Sequence, residues 1–221
     1  MAQIKTVLAK YVFLDIISYS YKRTVEAQTD IIAVMNDIVR KTLKNLKIPD
    51  TKRILLPTGD GICIALLNIN EPYDIHLEVA LSILKGIYEH NNSEEDPMRQ
   101  FNVRIGVNEN TDNQVIDVNG NNNIAGAGIN EAQRIMDQGE KAMIFVGRTV
   151  HSHLAQREKY QGKFRKYDAV IKHNLKLEVY QLIDSELLYL NSDQPKALED
   201  FMDKIKSHKE KFQKRLLFKN N

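Results

Sequence analysis

The stretch YVFLDIISYS, residues 11–20, carries one aspartate, Asp15, inside an apolar, β-prone run of Tyr11, Val12, Phe13, Leu14, Ile16 and Ile17. Such a run is expected to form a buried strand. An ionised carboxylate is costly to bury alone, so Asp15 calls for a cation, a basic side chain or a metal. A second carboxylate, Asp60, sits in TGDG at the centre of RILLPTGDGICIALL. On its own Asp60 also reads as an ordinary turn residue. If the first strand lies beside that hairpin, the two carboxylates converge, repel each other and need a shared cation. Oxygen-only ligands suit Mg²⁺ or Mn²⁺ rather than zinc. A metal pair held this way belongs to phosphoryl-transfer chemistry. A third stretch, NIAGAGINEAQRIM, starts with small residues and enters a helix. Asn130 and Arg134 are spaced i, i+4 and share one helix face. Glycines allow close backbone approach to a ligand. An amide beside a guanidinium suits a ribose oxygen and a phosphate.

The elements that must carry these residues follow from periodicity. Residues 8–17 read as a strand. Ile31, Val34, Met35, Ile38, Val39, Thr42 and Leu46 follow helical spacing, with Pro49 beyond the end. RILLP and GICIALL form a hairpin around TGDG. Leu77, Ala80, Leu81, Leu84, Ile87 and Tyr88 mark a second helix. FNVRIGV is a strand, DVNGNNN a loop, INEAQRIMD a helix and KAMIFVG a strand. Residues 148–155 form a short helix, and KYDAVIK with LKLEVYQLI a closing strand pair. The predicted fold is α+β: a ferredoxin-like, palm-type βαββαβ sheet with helices on one face, plus a C-terminal strand pair and helix. Residues 1–190 are expected to form the domain. Residues 191–221 are expected to form an amphipathic helix whose lysines stay in solvent.

The chain has 221 residues, 43% hydrophobic and 27% charged, with a net charge of +2. That balance supports a full core and gives no argument for nucleic acid. A single cysteine, Cys63, excludes a disulfide framework or a multi-cysteine metal site within one chain. No signal-peptide pattern and no membrane-length apolar run is found, so the expected setting is cytoplasmic.

Taken in order, these segments resemble the class III nucleotidyl cyclases, the adenylate and guanylate cyclase catalytic domain. FLDIISYS is similar to the family's F-x-D-[IV]-x-G-F-[ST] metal strand and TGDGICIAL to its G-D hairpin. VRIGV resembles R-[IV]-G-[IV]-H, GINEAQRI resembles V-N-x-A-x-R, and AMIFVGRTVHSHL the strand and helix that follow. The match is collinear from about Val12 to Leu182. The resemblance implies that Asp15 and Asp60, with the backbone carbonyl of Ile16, bind two divalent cations. It implies that Asn130 orients the ribose and that Arg134 stabilises charge on the reacting phosphate. Arg104 and backbone amides near Tyr19 and Ser20 would contact the terminal phosphates, with Lys172 a further candidate. The family forms head-to-tail dimers in which one chain gives the aspartates and the other the Asn/Arg pair. A chain holding both sets implies a homodimer with two shared sites, acting on a nucleoside triphosphate.

Departures from the pattern bear on the base. The two base-reading positions are Leu56, where adenylate cyclases have Lys and guanylate cyclases Glu, and Asn123. Leu56 can neither donate nor accept a hydrogen bond. Ser18 replaces a family glycine and Asn108 a histidine. NxxN-I-x-G-x-G-I-N-x-A-Q-R, with IKHN and LEVYQL near the end, resembles stand-alone bacterial cyclases that include the Pycsar pyrimidine cyclases. Those make cyclic UMP or cyclic CMP in anti-phage defence and act through a separate effector. The expectation is a pyrimidine cyclase, UTP ahead of CTP. A purine cyclase and a silent nucleotide-binding module are the alternatives. The hairpin lacks the G-G-[DE]-[DE]-F signature of diguanylate cyclases.

Overall fold

The structure is a computed structural model that describes residues 5–171, 175–196 and 198. Its centre is β1 (Lys5–Ile16), which is apolar on both faces. Val12, Leu14 and Ile16 point into one core layer, and Val7, Ala9, Tyr11 and Phe13 into another. A strand covered on both sides reads as a continuous apolar run, as here. β1 is flanked by β3 (Gly61–Leu67) and β4 (Val103–Ile116), both antiparallel to it. Beyond them lie β2 (Arg53–Pro57), β6 (Ile144–Gly147), β7 (Phe164–Ile171) and β8 (Leu175–Leu182). The sheet order is β2-β3-β1-β4-β6-β8-β7, with a short β5 (Asn122–Ala125) on β4 and β4·β6 parallel.

Three helices cover the first layer. α1 (Val25–Asn45) starts at Thr24, whose hydroxyl accepts the Ala27 N–H at 3.3 Å. It buries Ile31, Met35, Val39 and Leu43, one side chain per turn. Four such side chains contribute on the order of 6–12 kcal/mol of transfer energy, enough to hold a helix whose other faces are polar. α2 (Ile75–Ser93) adds Leu77, Ala80, Leu84 and Ile87, and the short α4 (Arg148–Leu154) adds Val150 and Leu154. The second layer takes α3 (Ala127–Met136), whose Ala132 and Met136 pack on Tyr11 and Phe13. Gly106 of β4 permits that approach: a Cβ there would lie 2.7 Å from the Met136 Cβ.

The α+β architecture and the closing strand pair match the expectation. One segment differs. β4 runs past Val107 to Ile116, and β5 returns from Asn122. DVNGNNN is therefore the tip of a β-arm whose last two residues, Asn122 and Asn123, are strand. The arm is mostly polar: Ile124 is buried in the second layer while Ile116 and Val118 are exposed, so no apolar alternation marks it. Lys172 and nearly all of the expected terminal helix lie outside the described residues. Leu198 is buried beside Phe145 and Tyr167. No described helix is long and apolar enough to cross a membrane.

Candidate active site

The register of the central strands assembles the site. Asp15 is the penultimate residue of β1 and pairs with Gly61 on one side and Arg104 on the other. Asp60 occupies the turn before β3, and its carbonyl accepts the Ile16 N–H at 3.2 Å. Asp15, Ile16, Tyr19, Ser20, Asp60 and Arg104 line one cleft of about 610 Å³. A larger hollow of about 760 Å³ lies between α1 and α2 and contains none of these residues. Its charged rim is satisfied locally by Lys41–Asp37 and Lys85–Glu89 pairs.

Arg104 donates to Asp15 Oδ2 at 3.1 and 3.3 Å and pairs with Asp137 Oδ1 at 3.1 Å. Burial pushes the Asp15 carboxyl up, Asp60 and Asp137 add to this, and Arg104 opposes it; the net direction is upward. The cleft thus gathers more anionic than cationic groups: Asp15, Asp60, Asp137 and Glu140 against Arg104 and Lys141. Burial and like charge both ask for a further cation at Asp15. Two carboxylates and nearby carbonyls fit a hard cation, with substrate oxygens to complete its shell. No group of three or more potential metal ligands occurs among the described residues.

One side chain ties together four carbonyls around the loop after β1. Arg23 donates to the carbonyls of Ser18 at 2.5 Å, Tyr19 at 3.1 Å, Met98 at 2.9 Å and Gln100 at 2.9 Å. Ser18 has φ 55°, the left-handed region, which accounts for glycine at this place in the related pattern. We expect Arg23→Ala to destabilise this loop by about 2 kcal/mol. Amide exchange should quicken over residues 17–23 and stay unchanged in α1; unchanged exchange in the loop would contradict this.

Asn130 and Arg134 do not enter the cleft. Both are exposed on α3, and neither side chain has a partner among the described residues. Asp137, the residue that follows α3, meets the cleft through its pair with Arg104. Leu56 packs at the edge of the layer that Ile54 and Ile124 share. The Asn123 side-chain oxygen accepts the Ile124 N–H at 2.6 Å. Lys141 and Glu140 are cleft residues that sequence reasoning does not single out. The parallel pairing of β6 with β4, beside Arg104, is what places them. The glycines of NIAGAG also do something other than expected: Gly126 and Gly128 make room for the buried side chain of Asp112.

The description "Adenylate and Guanylate cyclase catalytic domain" belongs to the family model that matches residues 7–184. The chain belongs to that family. Among solved structures, this cyclase domain is similar to the guanylate cyclase domain of RhGC from Catenaria anguillulae in complex with GTP. The identity is 17% and the TM-score 0.61, covering 80% of this chain and 97% of that one. It is also similar to the adenylate/guanylate cyclase/hydrolase from Silicibacter pomeroyi, at 17% identity and TM-score 0.59, with 83% and 99% covered. The adenylyl cyclase CyaB from P. aeruginosa gives 16% identity and TM-score 0.58, with 83% and 97% covered. These likenesses establish the fold. No curated protein matches the chain.

Proposed function

We propose that this cyclase domain converts a pyrimidine nucleoside triphosphate, UTP ahead of CTP, into its 3′,5′-cyclic monophosphate and pyrophosphate. The 3′ hydroxyl gives up its proton to solvent, its oxygen forms a bond to the α-phosphorus, and the bond from that phosphorus to the α,β-bridging oxygen breaks, the electron pair leaving on pyrophosphate. Asp15, Asp60 and the Ile16 carbonyl are the groups that would hold two divalent cations. When bound, these would activate the attacking oxygen and neutralise the leaving pyrophosphate. Arg104, Lys141 and the amides near Tyr19 and Ser20 hold the terminal phosphates. Asn130 orients the ribose and Arg134 carries charge on the reacting phosphate, both from a second copy of the chain. Their exposure on α3, outside the cleft, supports that division.

The observation that carries the pyrimidine reading is Leu56. An apolar side chain stands where purine cyclases place a charged reader, so a purine edge would be left with unpaired polar atoms, at roughly 1–3 kcal/mol per group. Asn123 supports uracil over cytosine. Its oxygen is engaged by Ile124 N–H, which leaves the amide N–H₂ as a donor. Uracil offers an acceptor at its 4-position and cytosine a donor. A soluble messenger read by a separate effector, as in the anti-phage cyclases that the sequence resembles, is the role we assign.

The test is kcat/KM for ATP, GTP, CTP and UTP under identical Mn²⁺. We expect a pyrimidine to lead the purines by at least about tenfold, equivalent to about 1.4 kcal/mol in the barrier. A lead by ATP or GTP would overturn the base assignment and keep the cyclase. Inactivity with all four would favour the silent binding module.

A further inference from the structure

Asn108, Asn110 and Asp112 alternate on β4, so all three face α3. Asp112 is buried, at 5% exposure, and no Lys or Arg pairs with it among the described residues. Its Oδ2 accepts the Tyr11 hydroxyl at 2.5 Å and the Gly128 N–H at 3.0 Å, and its Oδ1 accepts the Asn110 amide at 2.7 Å. Burial, then the bond to Asp112, pushes the Tyr11 hydroxyl upward, so it remains a donor. The helix has a glycine, Gly126, at its cap position and no side-chain cap of its own. The N–H of its second residue, Gly128, takes the carboxylate of a neighbouring strand instead. Asn108 completes the grip from the other side, donating to the Gly128 carbonyl at 3.1 Å and to Glu131 at 3.2 Å.

We infer that Asp112 is a positioning residue. It is a cap supplied from β4 that sets the register of α3 and so the placement of Asn130 and Arg134. This rests on the roles proposed above for those two residues. A helix of ten residues is marginal by itself, and a missing cap weakens it further. A negative charge at the helix start is favoured by the exposed N–H groups there. The tie is geometrically tight as well. A Cβ on Gly128 would stand 2.6 Å from both the Asn110 Cβ and the Tyr11 ring. Asn130 and Arg134 lie downstream on the same short helix, so tilt at Gly128 is carried directly to both.

The experiment compares Asp112→Ala, Asp112→Asn and Gly128→Ala in the full chain by amide exchange and by steady-state kinetics. Asp112→Ala should speed exchange over residues 126–136 by about tenfold with α1 unchanged. It should lower kcat by about 30-fold with KM within about threefold, since misplacement acts on the reacting geometry. Asp112→Asn should stay within about fivefold of wild type in kcat: its carbonyl serves Tyr11 and Gly128, and Asn110 turns its amide to accept. Gly128→Ala keeps the carboxylate, displaces the helix and should reproduce the localised Asp112→Ala signature. Wild-type exchange over 126–136 in Asp112→Ala would overturn the inference. So would loss of structure throughout the chain in both alanine variants. If the wild-type chain cyclises no nucleotide, the cyclase reading fails, and the exchange data still decide on Asp112.

Discussion

Asp15→Asn and Asp60→Asn are each expected to lower cyclisation at saturating Mn²⁺ by at least about a thousandfold, some 4 kcal/mol in the barrier. An amide has one neutral oxygen where a carboxylate offers two charged ones. No group of three or more potential metal ligands among the described residues stands ready to compensate. Folding should survive. Burial and Asp60 both penalise the charged form of Asp15, so a neutral isostere relieves more than it removes. The amide oxygen of the Asp15→Asn variant can still accept from Arg104. The checks are turnover with Mn²⁺ titrated to saturation and thermal melting of the same samples. Near-normal turnover by either variant would refute the two-cation assignment. A collapsed melting temperature for Asp15→Asn would show that the Asp15–Arg104 pair is a structural tie first.

Within this cleft, what is legible in sequence and what is not divides on physical grounds. Asp15 is legible because it breaks an otherwise apolar run, and Asp60 because it sits in the turn of a hairpin that has to lie beside that strand. Arg104 is legible through its RIG context, yet its two carboxylate partners depend on strand register and on the end of α3. Lys141 depends on β6 pairing parallel to β4, a contact between distant segments, such as Gly106 with Phe145, for which local periodicity carries no signal. The β5 arm escapes pattern reading because its residues are mostly polar and Ile124 is an isolated buried apolar side chain among them. The glycines of NIAGAG suggest clearance for a ligand. The clearance is real, but its occupant is Asp112, from another strand and a polar run that draws no attention by itself. Alternation of Asn108, Asn110 and Asp112 is present in the sequence. Its meaning requires knowing that α3, rather than solvent, covers that face.

Mixing inactive Asp60→Asn with inactive Arg134→Ala is expected to restore activity to about a quarter of wild type. In a head-to-tail dimer, random assortment of equal amounts places about half of the chains in heterodimers. Each heterodimer has one site built from two good parts: the intact aspartates of the Arg134→Ala chain and the intact α3 of the Asp60→Asn chain. Its other site combines both lesions and is silent. Such an arrangement follows from the roles proposed for the two residue sets. Asp15 and Asp60 line the cleft, whereas Asn130 and Arg134 stand exposed on α3 and outside it. The measurement is turnover against mixing ratio, with subunit exchange followed independently by labels on the two chains. A maximum near equal ratio, absent when two Asp60→Asn preparations are mixed, is the expected result. Proven exchange without recovery would place both sets within one chain's site. It would then require α3 to swing its exposed face towards Asp15, against the hold of Asp112 and Asn108 on Gly128.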